Sequence, residues 1–286
     1  MRTPATAWLA LVMAAAGAES PIDAARARLA RGDAAAAETA LRGMAEPGVQ
    51  RGSERACWLD AQARIAWSQG RIDLAFARSM EALALAERSG ERLPDLTSAL
   101  GSGRPWLDET FRLPLRALPT GDSGAEARTL AAALRALPEA STPWGAWLVW
   151  AARLLDASVE PPPPLAKPAR DTPEHELARR RARLLQSACE LRLGSSGAAT
   201  AMPAEALKPG CGAEGFARWF QAEAAAREGE RRDPRLASLR FVQSAAAFDD
   251  SPWLRVAALR RAATTLDPID PAEAARLRAA ADKETP

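Results

Sequence analysis

The chain has 286 residues, enough for one large domain or two small ones with a sizeable core. Its 38 Lys and Arg against 36 Asp and Glu leave a formal charge of +2, so no charge excess marks it for nucleic acid. With 26% charged and 48% apolar residues the composition excludes wholesale disorder, and abundant Ala with few β-branched residues excludes a mostly-β chain. The basic side is nearly all Arg, the only lysines being Lys167, Lys208 and Lys283, which reads as a compositional bias.

Residues 1–18 have the three-part form of a secretory signal. Arg2 is the positive end, Ala5 to Ala16 form a short apolar run, and Ala16-Gly17-Ala18 is a small-x-small exit. The expected location is therefore the periplasm or the exterior. The apolar run is short for a membrane span, as is Trp144 to Leu155, so no stable membrane insertion is expected.

Helix signals then follow in order. Ser20-Pro21-Ile22-Asp23 sets a cap and a first-turn Pro before an Ala/Leu/Arg run that stops at Gly32, and Asp33 caps a second helix to about Ala45. A second pair runs Ser53 to Gln69 and Ile72 to about Arg88, separated by Gly70. Further helices are expected at about 124–137, 143–156, 173–193, 214–228, 234–248, 252–266 and 271–282, with Pro and Gly between them. Residues 90–124 read as a packed connector with a short helix. The run Pro161-Pro162-Pro163-Pro164 makes 159–173 a stiff linker between an N-terminal helical repeat region, 19–158, and a C-terminal helical region, 174–286. A long surface loop within one array is the alternative.

Gly32 and Gly70 lie 38 residues apart, each after an amphipathic helix. Ala25 and Ala63 stand seven positions before them, Ala37 and Ala75 five after, and Ala82-Leu83 continues the second unit. In Cys57 to Arg88 this pattern resembles the tetratricopeptide repeat, with Trp58 and Leu59 in the apolar opening of the first helix. It departs from that family at Ala66 and Ser79, where aromatics are usual. The likeness is weaker at Pro21–Ala45, where Arg28 holds an aromatic's place, and only suggestive at Trp253–Ala281. The resemblance implies an all-α fold of antiparallel hairpins stacked as a right-handed solenoid. It also implies a concave groove lined by the first helix of each pair, which binds a protein or peptide partner.

The residues placed in that groove are Arg26, Asp60, Arg64 and Trp67. Asp60, Arg64 and Trp67 share one helix face, and Arg26 holds in the first unit the position that Arg64 holds in the second. Two such arginines could grip a carboxylate or acidic stretch. Alternatively both are solvated charges paired with Asp or Glu.

Enzymatic signatures are absent. The only histidine, His175, has Arg179 four positions on where a zinc-binding HExxH helix needs a second His, and no G-x-S-x-G elbow presents a serine. No catalytic residue, cofactor or metal site is expected. Trp144, Trp147 and Trp150 read either as a core stripe or as an aromatic platform. The platform underlies the alternative function, an envelope glycan-binding protein or hydrolase with a Trp-rich cleft. Arg179 to Arg181 and Arg183 read as a solvated helix face. Of three cysteines, Cys189 and Cys211 are joined by a flexible segment and are expected to form a disulfide in an oxidising compartment. Two independent buried thiols are the alternative. The signal predicts cleavage after Ala18, to be checked by mass spectrometry of protein recovered from its native cell. An intact Met1 would refute export.

Overall fold

The computed structural model describes residues 20–48, 52–88, 124–142, 145–163, 173–195, 197, 214–227, 233–248 and 252–284. Among them it is all-helical, with no strand: α1 Pro21–Ala30, α2 Ala34–Arg42, α3 Gly52–Ser68, α4 Ile72–Arg88, α5 Ala125–Arg135, α6 Ala146–Leu155, α7 Pro173–Arg192, α8 Glu214–Arg227, α9 Pro234–Ala247, α10 Pro252–Leu266 and α11 Pro271–Lys283. A short 3-10 turn, Pro138–Ser141, joins α5 to α6. Most of the connector expected at 90–124, and residues 164–172 of the expected linker, lie outside the described residues.

Local chemistry sets the helix ends. Ser20, Asp33, Asp233 and Asp270 each accept a backbone N–H at the start of α1, α2, α9 and α11, and Pro follows the cap in α1, α9 and α11. Gly32, Gly70 and Gly194 sit just past α1, α3 and α7 at φ 77°, 74° and 84°. In each case the next residue's N–H reaches back five positions: Asp33 to Arg28 O, Arg71 to Ala66 O and Ser195 to Glu190 O. This closure turns the chain sharply into α2 and into α4, and only Gly reaches it without strain.

Each helix packs on the next along the chain, and α1 also meets α3 while α4 meets α6. The arrangement is compatible with stacked helical hairpins. Small residues make it possible. Ala25, Ala37, Ala56, Ala61, Ala82, Ala84, Ala151, Ala188, Ala217, Ala222, Ala258 and Ala262 are fully buried, and larger groups such as Leu59, Phe76, Met80, Leu83, Phe220 and Phe241 fill the space between them. One buried cluster runs from Ile22 on α1 to Ala281 on α11. Helices α6 and α7, on either side of the Pro-rich segment, pack on each other, and Val159 within that segment is buried. Trp147 is buried in this layer and Trp150 is partly buried against it, whereas Trp144 lies outside the described residues. The expectation of a solvated Arg179–Arg183 face is corrected at Arg181. That side chain is fully buried, with its guanidinium 5.3 Å from the centre of the Trp147 ring, a cation–π contact suited to a desolvated charge.

Two glycine substitutions should separate strain from collision. Gly70→Ala meets nothing within 4 Å but keeps φ 74°, and should cost about 1 kcal/mol. Gly145→Ala would place its Cβ 1.8 Å from the Glu139 carbonyl oxygen, which is backbone and cannot swing away, so it should cost more. Thermal melts of both variants check the order.

Candidate functional site

Arginine is put to a use in this fold that composition alone does not reveal. Guanidinium groups cross between elements and donate to main-chain carbonyls: Arg28 to Ala36 O, Arg55 to Pro47 O, Arg227 to Leu191 O and Arg240 to Gln221 O, at 3.0–3.1 Å. Arg192 donates likewise to Leu154 O and Arg153 to Val159 O. Leu154 and Leu191 end α6 and α7, where carbonyls lack helical partners and the helix dipole favours a cation. A guanidinium has five donors in a rigid plane and can span such gaps, which suits it better than an ammonium.

Against this background two clusters are built differently, around a carboxylate. On α3, Asp60 is buried, its side chain 1% exposed. Arg64, one turn later, donates from Nε to Asp60 Oδ2 at 3.1 Å. Arg26, on α1, brings Nη2 to 3.8 Å from the same oxygen. The side chains of Arg26 and Arg64 are 36% and 35% exposed. On α8, Glu223 is equally buried. Arg227, one turn later, lies 3.6 Å from it, and Arg261 on α10 grips both oxygens at 2.8 and 3.0 Å. This hydrogen-bonded fork raises the Arg261 pKa, against the opposing effect of burial. Each cluster thus joins two helices that are not consecutive in the chain.

The clusters differ in how completely they are closed. Arg261 spends two donors on Glu223 and lies over the Phe241 ring at 6.0 Å, while Arg227 is also anchored to Leu191 O. Around Asp60, Arg64 spends only Nε, and Arg26 makes a single ion pair beyond hydrogen-bond distance. The two Nη groups of Arg64 and the guanidinium donors of Arg26 have no hydrogen-bond acceptor among the described residues. Among the described residues, two partly exposed cations thus face one buried anion.

Three of the four residues placed in the groove are therefore brought together. The i, i+4 spacing of Asp60 and Arg64 and the shared repeat position of Arg26 were the signals that found them. The fourth, Trp67, has a side chain outside the described residues. Asp60 itself is buried, with the two arginines converging on its Oδ2. The Glu223 cluster went unrecognised, since its members lie on helices whose packing no short spacing reveals. The His175 side chain also lies outside the described residues. Among the described residues no group of three or more His, Cys, Asp or Glu could hold a metal ion, and no helix is long and apolar enough to cross a membrane.

Cys189 is a free thiol, buried between α6 and α7, and its Sγ donates to the Trp150 carbonyl oxygen at 3.2 Å. The expected bridge to Cys211 falls outside the described residues at its Cys211 end. The Cys189 sulfur is enclosed by the helix interface. Cys57 is also free. No family model, curated protein or solved structure matches this chain.

Burial pushes the Cys189 thiol far above its ordinary range, an effect larger than the opposing pull of Arg153 and Arg192. The raised value keeps the group neutral across physiological pH, and the thiolate is the reactive form. Cys189 should therefore resist a thiol reagent such as DTNB in the native protein at pH 8 and react fully in guanidinium chloride. Peptide mapping of the labelled sites checks this, and rapid native labelling at Cys189 would contradict the burial.

Proposed function

We propose that this chain is an exported, non-enzymatic interaction or assembly module of the cell envelope that binds a protein partner. It does so through a groove of tetratricopeptide-like helical hairpins stacked as a right-handed solenoid. The observation that carries the reading is the convergence of Arg26 and Arg64, from two different helices, on one buried carboxylate, with their remaining donors turned to no acceptor among the described residues. Around Glu223 the second arginine gives Nη1 to the Leu191 carbonyl oxygen, whereas here only Arg64 Nε makes a hydrogen bond among the described residues. The second arginine adds repulsion and a desolvation cost that an anion from outside offsets. The N-terminal signal pattern, small residues at hairpin positions and the absence of catalytic motifs in the sequence support the same reading. Trp147 belongs to the core, so the glycan-cleft alternative loses one of the rings it required.

Arg26→Gln is the direct test. Arg26 makes one long ion pair and is a third exposed, so its loss should leave the melting temperature nearly unchanged. Cross-linking in the native envelope followed by mass spectrometry identifies the partner. Titration of that purified partner should then show the variant binding about tenfold more weakly, the loss of one charge-assisted contact. Unchanged affinity would refute the groove.

A further inference from the structure

Resting on that reading, we propose that Asp60 is a positioning residue for an anion site. It locks the Arg26 and Arg64 guanidiniums side by side so that one carboxylate of an acidic polypeptide bridges them, and it does not itself touch the partner. A carboxylate under a binding surface ordinarily repels an anionic ligand. Here Asp60 is 1% exposed and approached by two cations, so its charge is spent inward. An arginine on a flexible stem loses rotamer freedom when a ligand orders it, and two mutually repelling arginines also splay apart in water. Asp60 removes both costs before the ligand arrives. It binds Arg64 through Nε, leaving the Nη pair for another acceptor, and draws Arg26 towards the same oxygen atom.

The Glu223 cluster supplies an internal comparison. There the second arginine, Arg227, has its Nη1 taken by the Leu191 carbonyl oxygen at 3.0 Å, and both carboxylate oxygens are gripped by Arg261. An oxygen acceptor from a third element fills the equivalent place. In the Asp60 cluster no described residue does so, which leaves the place for an oxygen supplied by the partner.

The test exploits a sign. If Asp60 only offsets charge, Asp60→Asn makes the site more positive and strengthens anion binding; if it positions the arginines, the same change weakens binding. The probes are a pentaglutamate peptide amidated at its C-terminus and a pentaglutamine peptide with a free C-terminus. They present side-chain and terminal carboxylates respectively, and each is titrated into the full chain while the arginine Nε–H resonances are followed by NMR. At least one probe should shift Arg26 and Arg64 saturably, identifying the source of the carboxylate, and Asp60→Asn should weaken that probe about tenfold. Arg64→Lys keeps the charge and the fold but loses the planar grip, so it should weaken binding similarly and gives an answer even where Asp60→Asn is too unstable to titrate. Equal or tighter binding by Asp60→Asn, or unchanged binding by Arg64→Lys, overturns the positioning role. If Arg26→Gln still weakens the probe, the groove reading survives that result. Silence of both guanidiniums towards both probes overturns this inference and leaves the groove reading to be judged on the purified partner.

Discussion

Close approach of helices through alanine is the constraint on which the rest of this structure depends. A buried methyl group allows two backbones to come near each other, but it removes little apolar surface from water, so each Ala–Ala contact contributes little energy. It also contributes little specificity, since one alanine face resembles another. Register between neighbouring helices must come from something else. Part of it comes from the interspersed large residues, Leu59, Phe76, Met80, Phe220 and Phe241, and from edge-to-face pairs such as Trp219 with Phe241.

The other part comes from arginine. The side chain reaches across an alanine-lined interface, lays its methylenes along apolar surface and sets its charged plane against carbonyls at a neighbouring helix end. Arg192 on Leu154 O and Arg227 on Leu191 O tie α6 to α7 and α7 to α8 in this way. Burial lowers the Arg192 pKa while the Asp73 carboxylate opposes that effect. Arg181, buried beside Trp147, is the extreme case. The scarcity of lysine in a chain so rich in arginine thus has a structural counterpart, because a point-like ammonium cannot make planar contacts with several acceptors.

The carboxylate clusters extend the same device from joining elements to presenting charge. Around Glu223, Arg261 spends Nε and Nη2 on the carboxylate and Arg227 spends Nη1 on the Leu191 carbonyl oxygen. Asp60 with Arg26 and Arg64 has the same layout, but among the described residues only Arg64 Nε makes a hydrogen bond. Under the proposed function, that difference separates a packing contact from a binding surface. The functional reading rests on it and not on the helical architecture, which many unrelated activities could share.

Local chemistry made most of the helices legible. Caps at Ser20, Asp33, Asp233 and Asp270, helix-opening prolines and the glycines at 32 and 70 act over three to five residues, so linear order determined where helices begin and turn. The pairing of Asp60 with Arg64 was readable for the same reason, one helical turn being a fixed spacing. Which charges become buried was not readable. Arg181 lies in a run of arginines that looks solvated, and it is placed inside only because α7 turns that face towards Trp147 on α6. Nor was the burial of Cys189 readable, whose sulfur the same interface sets against the Trp150 carbonyl. Asp60 passed for a surface acid until the approach of α1 to α3 covered it, and Glu223 met Arg261 only because α8 and α10 come together. Burial and long-range pairing are properties of how helices meet, and in an alanine-rich chain the sequence periodicity leaves that meeting unspecified until the few large and charged side chains are placed together in space.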